Sequence, residues 1–342
     1  MAFTIQSLQF QPYRLAFQKP FQTALGILTH REGFVIEICD RNNRIGLGEA
    51  APLTGFGMES LAETEKILKE AQRSLINIEI KNLCDIENLL TKYHHTPAAK
   101  HGIELALIHL LSQDQSLSVS QLLANFFSSK VRDQVLINAV IGVVAPEIAA
   151  NKAKEYIGLG YRCLKLKVGM QDFEADRQRV EAVRSQVDKI DQDIQIRIDA
   201  NQGWSVINAI ANLKKLEPFQ IEYVEQPVIA SDLSGMAKVR RSQSILVAAD
   251  ESVNNLAQLQ QVINAQAADI IILKPMALGG ILTAYRAAAI AFNAGLDVVV
   301  TTTIDSAIAR QAAYDLAAAL PIKRACGLAT GHLLAEKQLE SN

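Results

Sequence analysis

IQIRIDANQGWSVINAIANLKKLEPFQIEYVEQP, residues 194–227, decides the fold. Alternating isoleucines end in Asp199, a helix-patterned stretch runs from Ser205 to Leu216, and a second β-branched run ends in Glu225 and Pro227. That is one strand–helix–strand unit, and its two strands are expected to run parallel. The same unit repeats on both sides. VLINAVIGV (135–143) and CLKLKVG (163–169) precede it, and ILVAADES (245–252), DIIILKP (269–275), DVVVTTTI (297–304) and KRACGLAT (323–330) follow. Helical stretches such as FEADRQRVEAVRSQV (173–187) separate them. Eight strands and seven intervening helices predict an α/β architecture, a (β/α)7β TIM-like barrel over residues 131–330. An open doubly wound sheet would also alternate. It would carry a Gly-x-Gly-x-x-Gly turn after its first strand, and the chain has none there.

Residues 1–130 read differently. FTIQSLQFQPYRL (3–15) and GFVIEICD (33–40) predict strands, with Asn42 and Asn43 as turn residues after the second. PLTGFGMESLAE (52–63) predicts a loop entering a helix capped by Glu59 or Ser60, and helical patterning continues to about Phe127. Strands followed by helices predict an N-terminal α+β capping domain. The segment 331–342 is too short for an eighth helix and is expected to return to that domain.

Composition narrows the function. The 342 residues carry 34 Lys and Arg against 36 Asp and Glu, and 49% are hydrophobic. A net charge of −2 gives no electrostatic reason to expect a nucleic-acid or acidic-membrane partner. Cys39, Cys84, Cys163 and Cys326 form no C-x-x-C pair, the N-terminal residues lack a secretory layout, and no apolar run reaches about 18 residues. These features lead to the expectation of a cytoplasmic protein acting on a small molecule, with oligomeric state left open.

The charges on the strands carry the chemistry. Strand two ends in Lys165 and Lys167, strand three in Asp199, strand four in Glu225, strand five in Asp250 and strand six in Lys274. The last four are separated by 26, 25 and 24 residues, one strand–helix unit each. Chemistry in a barrel sits at the C-terminal strand ends, so these residues should share one rim. Three neighbouring carboxylates repel one another unless neutralised, and oxygen-only ligands suit Mg²⁺. The six histidines (30, 94, 95, 101, 109 and 332) all lie away from these strand ends, which argues against a zinc site. A metal facing lysines suggests removal of a proton next to a carboxylate, a pattern known from the enolase superfamily.

At these residues the chain resembles the muconate-lactonizing-enzyme group of the enolase superfamily. The motifs are KLKVG (165–169), DAN (199–201), EQP (225–227), ADES (249–252) and KPM (274–276). The resemblance implies Asp199, Glu225 and Asp250 as Mg²⁺ ligands, with Lys167 and Lys274 as acid/base lysines on opposite faces of a small carboxylate substrate. Lys165 would tune Lys167, and Asn201 would lie behind the ligands. Within that group the chain is most similar to the o-succinylbenzoate synthase family. The similarity rests on PYRLAFQKPFQTALG (12–26), GEAAPLTGFGMES (48–60), ILKPMALGG (272–280), TIDSAI (303–308) and CGLATG (326–331). It implies a carbon–oxygen lyase that dehydrates 2-succinyl-6-hydroxy-2,4-cyclohexadiene-1-carboxylate to 2-succinylbenzoate for menaquinone or phylloquinone synthesis. Lys274 would then hold the far face, in part by a cation–π contact. Cap loops 20–26 and 52–60, with Gly55 and Phe56, would close over the succinyl tail, and Asp305 and Ser306 are further candidate contacts.

Dipeptide epimerases and N-succinylamino acid racemases share this scaffold and its lysine pair. The epimerases usually add an Asp-x-Asp after strand eight for the substrate ammonium. Here that region reads CGLATGHLLAEK (326–337), which lacks the pair.

Overall fold

The computed structural model of the chain describes residues 2–23, 26–170 and 172–335. The N-terminal unit is built on a four-stranded antiparallel sheet in the order β3-β2-β1-β4: β1 (Phe3–Thr23), β2 (Gly26–Asp40), β3 (Ile45–Ala50) and the short β4 (Glu79–Ile80). The motif GEAAPLTGFGMES (48–60) begins inside a strand that the sequence pattern does not predict, since its first three residues belong to β3. Glycine disguised the strand, because Gly46 and Gly48 lower strand propensity. They are needed for close approach: a Cβ at Gly48 would collide with the Gly102 carbonyl of the helix lying on the sheet.

That helix is α3 (Pro97–Gln115), packed with α1 (Leu61–Ser74), α2 (Leu83–Leu90) and α4 (Val119–Phe126). Of the two expected caps for α1, Ser60 is the one used. Its hydroxyl accepts from the Glu63 amide while Glu63 accepts from the Ser60 amide, a capping box contributing about 1 kcal/mol. Glu59 instead reaches α3, accepting from the amides of Ala98 and Ala99.

The second unit is a parallel sheet of seven strands in chain order: β5 (Ala139–Ile141), β6 (Cys163–Lys167), β7 (Gln195–Asp199), β8 (Ile221–Glu225), β9 (Leu246–Ala249), β10 (Ile270–Leu273) and β11 (Asp297–Val300). Helices α5 (Pro146–Gly158), α6 (Phe173–Asp188), α7 (Val206–Leu216), α8 (Leu233–Arg241), α9 (Leu256–Asn264) and α10 (Ile281–Asn293) connect them, and α11 (Ala307–Ala319) follows β11. This is the TIM-like barrel with a capping domain.

One element differs. The expected eighth strand, 323–330, contributes only two bridges, Cys326 to Ile137 and Gly327 to Thr301, with amide bonds to Leu136 and Val300. Those bridges join the first strand to the last. KRACGLAT has no β-branched residue before its final Thr, so the segment pairs only where the ring needs closing.

Below the rim, Tyr223, Ala248, Ile270, Ile272 and Val299 form a separate buried cluster that fills the barrel interior. The tail does turn back: Leu334 pairs with Phe17, and the Ala335 amide donates to Ala16. Residues 336–342 lie outside the described residues, as do Ala24 and Leu25 of the expected substrate loop. No described helix is long and apolar enough to cross a membrane, and the four cysteines are unpaired.

Candidate active site

Strand register assembles the site. Lys167 stands opposite Asp199, and Asp199 opposite Glu225, so β6, β7 and β8 end in one row. Asp250 follows the end of β9 and Lys274 the end of β10. Side chains alternate along a strand, which puts Lys165 one layer below Lys167 on the same face. Lys165 Nζ lies 2.6 Å from Glu225 and 2.9 Å from Asp199. Lys167 Nζ donates to Asp199 Oδ2 at 2.6 Å and to Asn201 Oδ1 at 2.7 Å. Lys274 Nζ is bonded to Asp250 Oδ1. All six charged residues expected at the rim are therefore linked into two neighbouring groups.

Burial and charge compete here. Burial alone would raise the Asp199 pKa, but Lys165 and Lys167 outweigh it and hold the carboxyl below its ordinary range. Glu225 goes the other way: burial, then the Asp199 charge, pushes it up to about 8. Burial opposes the charged forms of Lys165 and Lys274, yet their carboxylate partners prevail and raise both.

A divalent magnesium ion suits this donor set. Three buried carboxylates are hard oxygen ligands, and a Glu225 pushed toward its protonated form marks a place short of positive charge. Among the described residues no three His, Cys, Asp or Glu side chains form a ready-made cluster. The reason is visible in the contacts: Lys165 stands between Asp199 and Glu225, supplying charge that a cation would take over.

The outer candidates separate into two sets. Phe56, on the short 3₁₀ turn Thr54–Phe56 that also holds Gly55, faces Lys274, whose Nζ is 4.5 Å from the ring centroid. Asp305 and Ser306 are instead engaged with the cap. Thr303 donates to Asp305, Arg31 is 3.9 Å away, and burial followed by the Glu49 charge pushes Asp305 up to about 6. Glu49 of β3 accepts from the Ser306 amide at 2.9 Å, its hydroxyl at 2.5 Å, the Ala309 amide at 2.9 Å and the Tyr13 hydroxyl at 2.6 Å. A cap carboxylate thus caps a barrel helix.

Sequence reasoning gave no role to Glu251. Its Oε1 accepts from Asn201 Nδ2 at 3.1 Å, while its Oε2 is buried without a hydrogen-bond partner. The available signal was an acid directly after Asp250, matched by an amide two residues after Asp199. Gln226 was also passed over. Its side chain accepts from the Asp250 and Ser252 amides and donates to Val228 O and Ser252 Oγ, tying the ends of β8 and β9 together.

Residues 149–341 match the family described as "Enolase C-terminal domain-like", and residues 5–110 match "MenC, N-terminal domain". The L-Ala-D/L-Glu epimerase of Bacillus subtilis is 34% identical over 308 residues, covering 88% of this chain and 81% of that protein. The N-succinyl-L-Arg/Lys racemase of Bacillus cereus is 29% identical, covering 92% of this chain and 84% of that protein. The o-succinylbenzoate synthase of Thermobifida fusca is 40% identical over 207 residues, covering 60% of this chain and 62% of that protein. Among solved structures, the substrate-liganded Bacillus subtilis epimerase superposes with a TM-score of 0.88 at 29% identity, covering 97% of this chain and 91% of that one. The Enterococcus faecalis dipeptide epimerase, complexed with Mg and L-Leu-L-Tyr, superposes at 0.85 and 30% identity, covering 96% and 92%.

Proposed function

The chain belongs to the enolase superfamily as one of its enzymes, and from that premise we propose that it moves a proton on and off the carbon next to a substrate carboxylate. The observation that carries this reading is the pair Lys167 and Lys274, delivered to one carboxylate-lined rim from β6 and β10. Asp199, Glu225 and Asp250 would hold Mg²⁺, which supplies positive charge against the charge developing on the substrate carboxylate. As a neutral amine, Lys167 takes the α-proton: its lone pair forms the new N–H bond, and the C–H electron pair stays with the substrate. Lys274, as the ammonium, returns a proton to the opposite face. Phe56 covers Lys274 on its cap side and keeps water from it.

Racemisation of an N-succinylamino acid is the substrate reading we favour. Racemase and epimerase relatives span about nine-tenths of the chain. A free ammonium, as in a dipeptide, lacks its expected acidic pair, since no Asp or Glu lies between Gly327 and Ala335. Two observations support a second reading, dehydration to 2-succinylbenzoate: the match of residues 5–110 and the 40% identity to the Thermobifida enzyme. Both substrates carry a succinyl tail. The test incubates purified protein and Mg²⁺ in D₂O with N-succinylamino acids, dipeptides and the cyclohexadiene carboxylate, and follows α-deuteration by NMR. Deuteration and racemisation of N-succinylamino acids are expected. Faster dehydration would install the second reading, and dominant dipeptide epimerisation would overturn the succinyl preference.

A further inference from the structure

Lys167 and Lys274 are held in unlike ways. Lys167 Nζ spends two of its three directions on acceptors, Asp199 Oδ2 at 2.6 Å and Asn201 Oδ1 at 2.7 Å. At a tetrahedral nitrogen, two fixed partners aim the third position. The aim depends on which end of the Asn201 amide faces the lysine, because the nitrogen end would set donor against donor. The Asn201 main chain is fixed, with φ at +40° and its amide on Asp199 Oδ1 at 3.0 Å. Its side-chain nitrogen is fixed from behind by Glu251 Oε1 at 3.1 Å. No comparable amide stands against Lys274: it is bonded to Asp250 and covered by the Phe56 ring, and Glu251 bears on it only through its charge, behind that of Asp250.

We infer that Glu251 is a positioning residue for one of the two proton-transfer lysines: by holding the Asn201 amide with its oxygen forward, it aims Lys167, whereas Lys274 feels no more than its charge. The inference rests on the two-lysine reading above. Its role is that of an acceptor, so a neutral acceptor of the same shape should serve. Misplacing a reacting group by about 1 Å costs on the order of a hundredfold.

The experiment compares Glu251→Leu and Glu251→Gln with the unaltered protein at saturating Mg²⁺ in D₂O. N-succinyl-L-lysine and N-succinyl-D-lysine are followed separately by NMR, and Lys167→Ala identifies the enantiomer whose α-proton faces Lys167. Glu251→Leu should slow exchange from that enantiomer about 10- to 100-fold and from the other less than threefold, and Glu251→Gln should restore most of the loss. Equal slowing from both enantiomers, or a glutamine variant as impaired as the leucine one, would overturn the inference. A second readout needs no turnover: the side-chain NMR signals of protein labelled with [ε-¹³C]lysine, assigned through Lys167→Arg and Lys274→Arg. Glu251→Leu should displace the Lys167 signal well beyond its place in Glu251→Gln, whereas the lost charge should shift the Lys274 signal alike in both variants. If the unaltered protein exchanges neither enantiomer, the activity reading fails and this readout alone decides; an unmoved Lys167 signal then refutes the positioning role.

Discussion

The rim of the barrel and the seam between cap and barrel both bury acids and bases, yet they satisfy them differently. At the rim, Asp199, Glu225 and Asp250 are balanced largely by the ammonium groups of lysines, which a substrate or a cation can replace. At the seam the acids face main-chain amides, which cannot move aside. Glu49 caps α11, and Glu104 of α3 accepts from the Leu282 amide at the start of α10. Lys100 and Arg31 complete the seam by donating to the carbonyls of Gly279, Ile304 and Pro52. A buried carboxylate saturated by amides is structural; one held by side-chain cations is available for exchange. Two uses of one residue type can therefore be told apart by what donates to them.

The largest effects should come from the rim. Lys167→Ala and Lys274→Ala are each expected to lower turnover by about a thousandfold or more while leaving the thermal midpoint within a few degrees. Substantial activity in either variant, measured by α-proton exchange, would break the assignment. Chelation by EDTA should come next, removing activity that added Mg²⁺ restores. Mg²⁺ at a hundred times its Kd should also stabilise the fold by about 2.7 kcal/mol, seen as a raised midpoint. Asp199→Asn should abolish that rise, whereas a change in the seam should leave it intact.

Glu49→Ala inverts the pattern. It strands the amides of Ser306 and Ala309 and the hydroxyls of Ser306 and Tyr13, at a cost of about 3 kcal/mol or more in stability. Denaturant titration should show that loss, and turnover of the protein that remains folded should fall less than tenfold. A fall as deep as that of the lysine variants would mean that the seam also serves the chemistry.

The two regions also differ in how legible they were. The rim could be read because strand ends recur once per repeat, and a charge at Asp199, Glu225, Asp250 and Lys274 marks each end. Glu251 escaped because it lies in the turn past the end of β9, where strand alternation no longer says which way a side chain points. Its contact is with Asn201, a residue of positive φ beyond the end of β7. The seam could not be read at all. Glu49 lies in IGLGEA, where Gly46 and Gly48 look like loop residues until α3 is seen lying against them. Its partners, Ser306 and Ala309, are more than 250 positions away. Asp305 and Ser306 follow β11 as the rim residues follow their own strands, and that position gives no sign of their contacts with Glu49 and Arg31.

Asp315, also within the seam, lacks the amides that saturate Glu49, and it gives the smallest test. Asp315 sits on α11, which packs against α4, and its side-chain partners are Gln311 at 3.4 Å and Ser120. Burial pushes its carboxyl up to about 6 from 3.8. Unfolded, the group gives up its proton near 3.8; folded, it keeps the proton to about 6. The folded state therefore binds more protons between those values, and stability must fall as pH rises through that window. Asp315→Asn keeps an acceptor for Ser120 and removes the charge. It should raise stability at pH 7.5 by about 1–2 kcal/mol, allowing for partial exposure, and by nothing near pH 4. Denaturation curves at the two pH values decide it. An equal midpoint for both proteins at pH 7.5 would mean that solvent or a neighbour already satisfies Asp315 as amides satisfy Glu49, and that the seam's acids are all of one kind.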